Sequence, residues 1–82
     1  MFTPQTSRAA RSLLEWSQAE LANKAGVGLS TVINFEKGHR ATVPGNVAAM
    51  ERAFSAAGIE FLNSDSPGVR LRPKRTKRKA SR

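Results

Sequence analysis

Cysteine is absent from this 82-residue chain, and with it go a disulfide framework, a zinc finger and a thiol nucleophile. The composition suits a reducing cytoplasm. Histidine occurs once, at residue 39, no glycine-rich phosphate loop follows a strand, and no two carboxylates share an obvious site, so catalysis has little to rest on. His39, in a glycine-flanked loop, reads as a surface residue rather than a catalyst or metal ligand. Neither enzymatic activity nor a cofactor or metal is expected. No apolar run approaches a membrane span, and residues 1–6 have neither the charged nor the apolar region of a signal peptide. A cytoplasmic location follows as an expectation. At this length one domain is expected, with a core small enough for dimerisation to matter to its stability.

What the chain does have is a periodic stretch at residues 17–38, SQAELANKAGVGLSTVINFEKG. It reads as two short amphipathic helices joined by a glycine turn, the layout of a helix-turn-helix that lays its second helix in the DNA major groove. Ser17 can cap a helix beginning at Gln18, with Glu20 reaching back to the Ser17 N–H to complete a capping box. Ala19, Leu21, Ala22 and Ala25 suit a buried stripe, and Gly26 supplies the left-handed residue that ends the helix. Val27 is expected to tuck under the turn, and Gly28 opens the next helix. Within Leu29–Glu36, Val32 and Phe35 face inward, while Ser30, Thr31, Asn34 and, less clearly, Leu29 and Ile33 face outward. Gly38 ends the pattern.

Around this pair the spacing predicts two more helices. The first, capped by Thr6 or Ser7, runs through Trp16 with Ala10, Leu13 and Leu14 toward the core and Trp16 as a lid. The loop GHRAT at 38–42 leads to Pro44 near the start of another helix. There Val47, Met50 and Phe54 recur at i, i+3 and i+7 with Ala53 and Ala57 beside them, before Gly58. IEFL and VRLR then flank NSDSPG, whose residues favour a turn, so a short hairpin is expected. Ile59, Phe61, Val69 and Leu71 would share its buried face, and Glu60, Arg70 and Arg72 the other. The alternative is that Ile59 to Leu62 only plugs the core and the following residues are loose.

The segments QAELA, AGV, STV and FEKG, in that order and spacing, resemble the phage-repressor-like (Cro/C1, or XRE) helix-turn-helix domains over residues 8 to about 57. The resemblance implies a mainly α, compact four- to five-helix lambda-repressor-like domain, here with a short C-terminal hairpin where relatives often place a fifth helix. It implies no metal and no cofactor. Base-reading positions of the family fall on Leu29, Ser30, Thr31, Ile33 and Asn34. The Asn34 amide suits adenine N6 and N7, Ser30 and Thr31 suit bases or phosphates, and Leu29 or Ile33 a thymine methyl. Each has a plainer reading: Asn34 as an ordinary exposed polar residue, Leu29 and Ile33 as support for the turn or the neighbouring helix. Gln18 matches a phosphate-clamping glutamine at a helix N-terminus, against the plainer reading of a polar residue near a cap. Lys37, His39 and Arg40 could hold the adjacent backbone or simply line a solvated loop. Arg11 and Glu36 match a pair that ties the first helix to the third, a structural role.

Charge divides the chain sharply, because residues 1–69 carry six basic and six acidic side chains whereas residues 70–82 carry eight basic and none acidic. The whole net charge of +8 therefore sits in the C-terminal segment. Residues 1–72 are expected to form the domain and 73–82 a disordered basic tail, too polar to pack. Lys74, Arg75, Lys77, Arg78 and Lys79 could grip phosphates by counterion release. The alternative is a solvated tail that aids solubility or binds any polyanion. The expectation is a transcriptional regulator, a repressor or autoregulator, bound as a homodimer to palindromic double-stranded DNA and associated with the nucleoid when bound. Its rival is a protein-binding regulator on the same scaffold, such as an antitoxin or antiactivator, since fold alone does not decide function.

Overall fold

Proline and threonine set where the chain first becomes helical. α1 (Pro4–Leu14) begins one residue after Thr3, whose hydroxyl accepts from the Thr6 N–H while the Thr6 hydroxyl accepts from the Thr3 N–H. This reciprocal box, with Pro4 at the first helical position, places the start earlier than a cap at Thr6 or Ser7 would. Both of those residues are buried instead. α1 also stops before Trp16, because Glu15 adopts a left-handed conformation at φ 58° and its N–H turns back to the Ser12 carbonyl.

The structure is a computed structural model that describes residues 2–38, 42–63 and 67–72, with 63 and 67 described through their backbone alone. After α1 come α2 (Gln18–Ala25), α3 (Leu29–Glu36), α4 (Pro44–Ala56) and an antiparallel pair, β1 (Ile59–Asn63) and β2 (Pro67–Leu71). Ser17 caps α2 through the Glu20 N–H at 3.0 Å, but only this half of the expected box forms. Gly26 ends α2 at φ 71°, a region that disfavours a Cβ, and Gly28 opens α3 without a side-chain cap.

The core is a single cluster of Ala10, Leu21, Ala22, Val32, Phe35, Met50, Phe54 and Ile59, with Leu14, Trp16, Ala25, Val27 and Val47 packed against it. Three inward assignments are corrected. Leu13 is 45% exposed, because α1 buries the stripe of Thr6, Ser7 and Ala10 and leans toward Arg11, leaving Leu13 on the other flank. Ala19 is exposed, since the inner side of α2 runs through Leu21, Ala22 and Ala25. Leu71 is 41% exposed: it pairs with Ile59 at the open end of the hairpin and lies beside Gly58, while Ile59 takes the core position.

Aromatic rings close the bottom of this core. Phe2 stacks on Phe35 and meets Phe61 edge-on, both at 5.1 Å between centroids, and Phe54 lies between Phe61 and a stacked Trp16. Such pairs add about 0.5–1.5 kcal/mol each beyond the apolar area they bury. The hairpin follows directly from Gly58, whose φ of 99° halts α4 and redirects the chain. Its register sets Ile59 opposite Leu71, Glu60 opposite Arg70 and Phe61 opposite Val69. Phe61 and Val69 pack on the core, and Glu60 accepts from Arg70 on the outer face. The Arg72 N–H donates to the Gly58 carbonyl at 2.8 Å, tying the last described residue to the end of α4.

Candidate nucleic-acid interface

The first step in building the interface is the turn between α2 and α3. The Val27 N–H donates to the Ala22 carbonyl at 3.0 Å and its side chain packs on the core, so the apolar residue in the turn fixes the angle between the helices. Val32 and Phe35 then anchor α3 inward. Helical periodicity leaves the opposite side to Leu29, Ser30 and Asn34, all exposed, and to Thr31 and Ile33, both half-buried. The outward surface of α3 is thus uncharged, with one amide, two hydroxyls and two branched apolar tips. These groups match the donors, acceptors and methyls displayed on base edges in a major groove.

Behind that surface lies one carboxylate. Glu36, the last residue of α3, is 4% exposed yet fully partnered. Arg11 grips it with two parallel bonds, Nε to Oε2 at 3.0 Å and Nη2 to Oε1 at 2.8 Å. The Ser7 hydroxyl donates to Oε2 at 2.5 Å, and the Gln18 amide donates to Oε1 at 3.2 Å. Burial alone would raise the Glu36 carboxyl. Hydrogen bonds from Arg11, Ser7 and Gln18, together with the Arg11 charge, outweigh it and hold the group below its ordinary value. A third Arg11 nitrogen, Nη1, donates to the Trp16 carbonyl at 3.1 Å. The carboxylate therefore joins α1, α2 and α3 at a single point, with geometry that favours an ion pair over an isolated buried charge.

Gln18 stands at the first position of α2, half-buried, where helix N–H groups lack internal partners. Its side chain is oriented by Glu36 through one amide hydrogen, which leaves the other hydrogen to serve an external acceptor. Lys37 is exposed at the C-terminal end of α3. The structure thus brings together Arg11, Glu36 and Gln18 at one point, with the five α3 residues on the adjoining surface. His39 and Arg40, and Lys74, Arg75, Lys77, Arg78 and Lys79 in the tail, lie outside the described residues.

Two members of this network carry no motif in the sequence. Ser7 reads as a helix cap but is wholly buried with its hydroxyl on Glu36. Arg8 is exposed, yet its Nη1 donates to the main-chain carbonyl of Glu36. Only the Arg11 spacing on α1, one turn beyond Ser7 and Arg8, would have hinted that this side meets α3.

Among the described residues no group of acidic or histidine side chains could hold a metal ion, and no helix is long and apolar enough to cross a membrane. No curated protein matches the chain. A helix-turn-helix family model matches residues 8–57, more than half of its length, from within α1 to the end of α4. With that match over the capped helix pair, its glycine turn and the uncharged outward face of α3, the chain belongs to the Cro/C1-type helix-turn-helix family, the XRE kind of DNA-binding transcription regulator.

Proposed function

We propose that this regulator reads a specific, palindromic operator as a homodimer, and represses transcription, its own included, by occluding polymerase. One observation carries the reading: Leu29, Ser30, Thr31, Ile33 and Asn34 stand together on the outward side of α3, while the helix's other side is fixed to α1 and α2 through Phe35, Val32 and Glu36. A surface of neutral donors, acceptors and methyls on a held helix discriminates bases, whereas a charged one would mainly hold phosphates. Asn34 takes the adenine contact, Leu29 and Ile33 thymine methyls, and Gln18 with Lys37 the flanking phosphates. Arg11 and Glu36 keep the reading helix in place. His39 and Arg40 add backbone contacts, and the basic segment 73–82 adds salt-dependent grip along the flanking DNA.

Dimerisation is supported by the hairpin. A sheet of two strands is marginal by itself, and β1 and β2 each have one edge with no strand beside it among the described residues. Pairing such an edge across a two-fold axis would extend the sheet and cover Leu62 and Leu71, which are 39% and 41% exposed. Selection by the intact chain from a random-sequence duplex pool should return inverted half-sites whose centres lie about 34 Å apart, one helical turn. A single unrepeated half-site would overturn the dimer. Recovery of no motif would overturn specific reading and favour a protein partner on this scaffold.

A further inference from the structure

We infer that Arg8 is a positioning residue for base reading, because its guanidinium closes the C-terminal end of α3 from the neighbouring helix. The inference rests on the reading of α3 given above. A helix ends with carbonyls that find no partner inside it, and its C-terminus carries partial negative charge. In α3 the last turn contains no basic residue. The Lys37 and Gly38 N–H groups return to the Ile33 and Phe35 carbonyls at 3.1 and 3.0 Å. Among the described residues no main-chain N–H meets the Glu36 carbonyl, which Arg8 Nη1 meets across a separation of 28 residues. A cation is thus supplied from α1 to the main chain at the end of the helix, beside the exposed Lys37 that caps it.

The geometry makes this more than a cap. Arg11, one turn further along α1, holds the Glu36 carboxylate while Arg8 holds the Glu36 main chain. Val32 and Phe35 in the core and the Glu36 carboxylate hold α3 through side chains, an attachment that leaves some pivot at the end of its main chain. A second, to the backbone of the same residue, removes that pivot and sets the direction in which Asn34, Ile33 and Leu29 point. With Nη1 committed to α3, Arg8 is assigned an action on DNA through α3, and the salt series separates this from a phosphate contact by its other N–H groups.

Arg8→Ala and Arg8→Lys in the full chain test this against the duplex selected by the unaltered protein and a scrambled duplex, across a salt series. The Arg8→Ala change should lower the preference for the selected duplex by about ten-fold, the scale of one lost base contact, with the salt slope unchanged. In the free protein it should speed hydrogen exchange at the Lys37 and Gly38 amides while α4 keeps its protection. Lysine, which can donate to the same carbonyl, should restore most of the preference. A slope shallower by about one on both duplexes would overturn the inference and make Arg8 a phosphate contact. Unchanged preference alongside a lowered melting temperature would reduce it to a stabilising residue. An unaltered chain that prefers no duplex would instead sink the reading itself, a result visible without any Arg8 variant.

Discussion

Glu36 concentrates in one residue the connection between stability and function. Its carboxylate is buried, and three side chains from two other helices satisfy it. Its protonation constant is lower in the folded chain than in the unfolded one, so the unfolded state binds the proton first as acid is added. The resulting stability is fully present above the ordinary carboxylate range and is lost as pH falls through the folded value. Glu36→Gln should be less stable near neutral pH by about 3 kcal/mol, because Arg11 is left without its counter-charge. Thermal melts of the two proteins should then converge as pH falls through the folded Glu36 value, below the ordinary carboxylate range, where the parent loses the same charge. Curves that stay parallel throughout the acid range would show that the carboxylate carries no such share. The pairing of Arg11 with Glu36 could be named from the family resemblance, since both residues match positions that the family pairs. Ser7 and Arg8 could not, because a serine in a first turn and an exposed arginine look alike in sequence whether they cap, float or reach a partner 28 or 29 residues away.

Helix ends explain both what was legible among the elements and what was not. Ser17, Gly26, Gly28 and Pro44 mark their boundaries by chemistry local to the chain, and α2, α3 and α4 begin where those residues put them. α1 was shifted because two overlapping signals compete at its start: Thr3 and Pro4 form a box with Thr6, while Thr6 and Ser7 look like caps themselves. It ends before Trp16 because Glu15, a residue that rarely takes a positive φ, does so there. Glu15 and Gly26 occupy equivalent left-handed caps, so exchanging their types should have opposite effects. Gly26→Ala should cost about 1 kcal/mol by forcing a Cβ into that conformation, although nothing crowds the site. Glu15→Gly should raise the melting temperature, with relief of the same strain offset in part by the extra freedom of glycine when unfolded. Equal shifts of one sign in both variants would contradict this account of how the first two helices stop. The exposure of Leu13 and Leu71 was beyond local patterning, because only packing decides which flank of an apolar stripe turns to solvent.

At the scale of the whole molecule, charge and shape divide the work. The charge of residues 1–69 is balanced, and all of the net +8 follows them. In the proposed function the outward side of α3 works through hydrogen bonds and methyl contacts, and the basic segment through counterions. Replacing Lys74, Arg75, Lys77, Arg78 and Lys79 with glutamine should make the salt dependence of DNA affinity shallower by about four in log–log slope, while leaving the ratio of selected to scrambled duplex largely intact. Loss of that ratio would place specificity in the segment. The helix-turn-helix and its family were legible because they rest on local spacing. The oligomeric state and any operator are not, since both depend on surfaces that meet another molecule. The most direct test of the central claim, that α3 reads bases, is fluorescence anisotropy of the intact chain and its Asn34→Ala variant on the selected and scrambled duplexes at one salt concentration, with melting temperatures in parallel. The account predicts about a ten-fold loss of affinity for the selected duplex alone, with scrambled binding and melting temperature unchanged. Equal binding of both proteins to the selected duplex would contradict it.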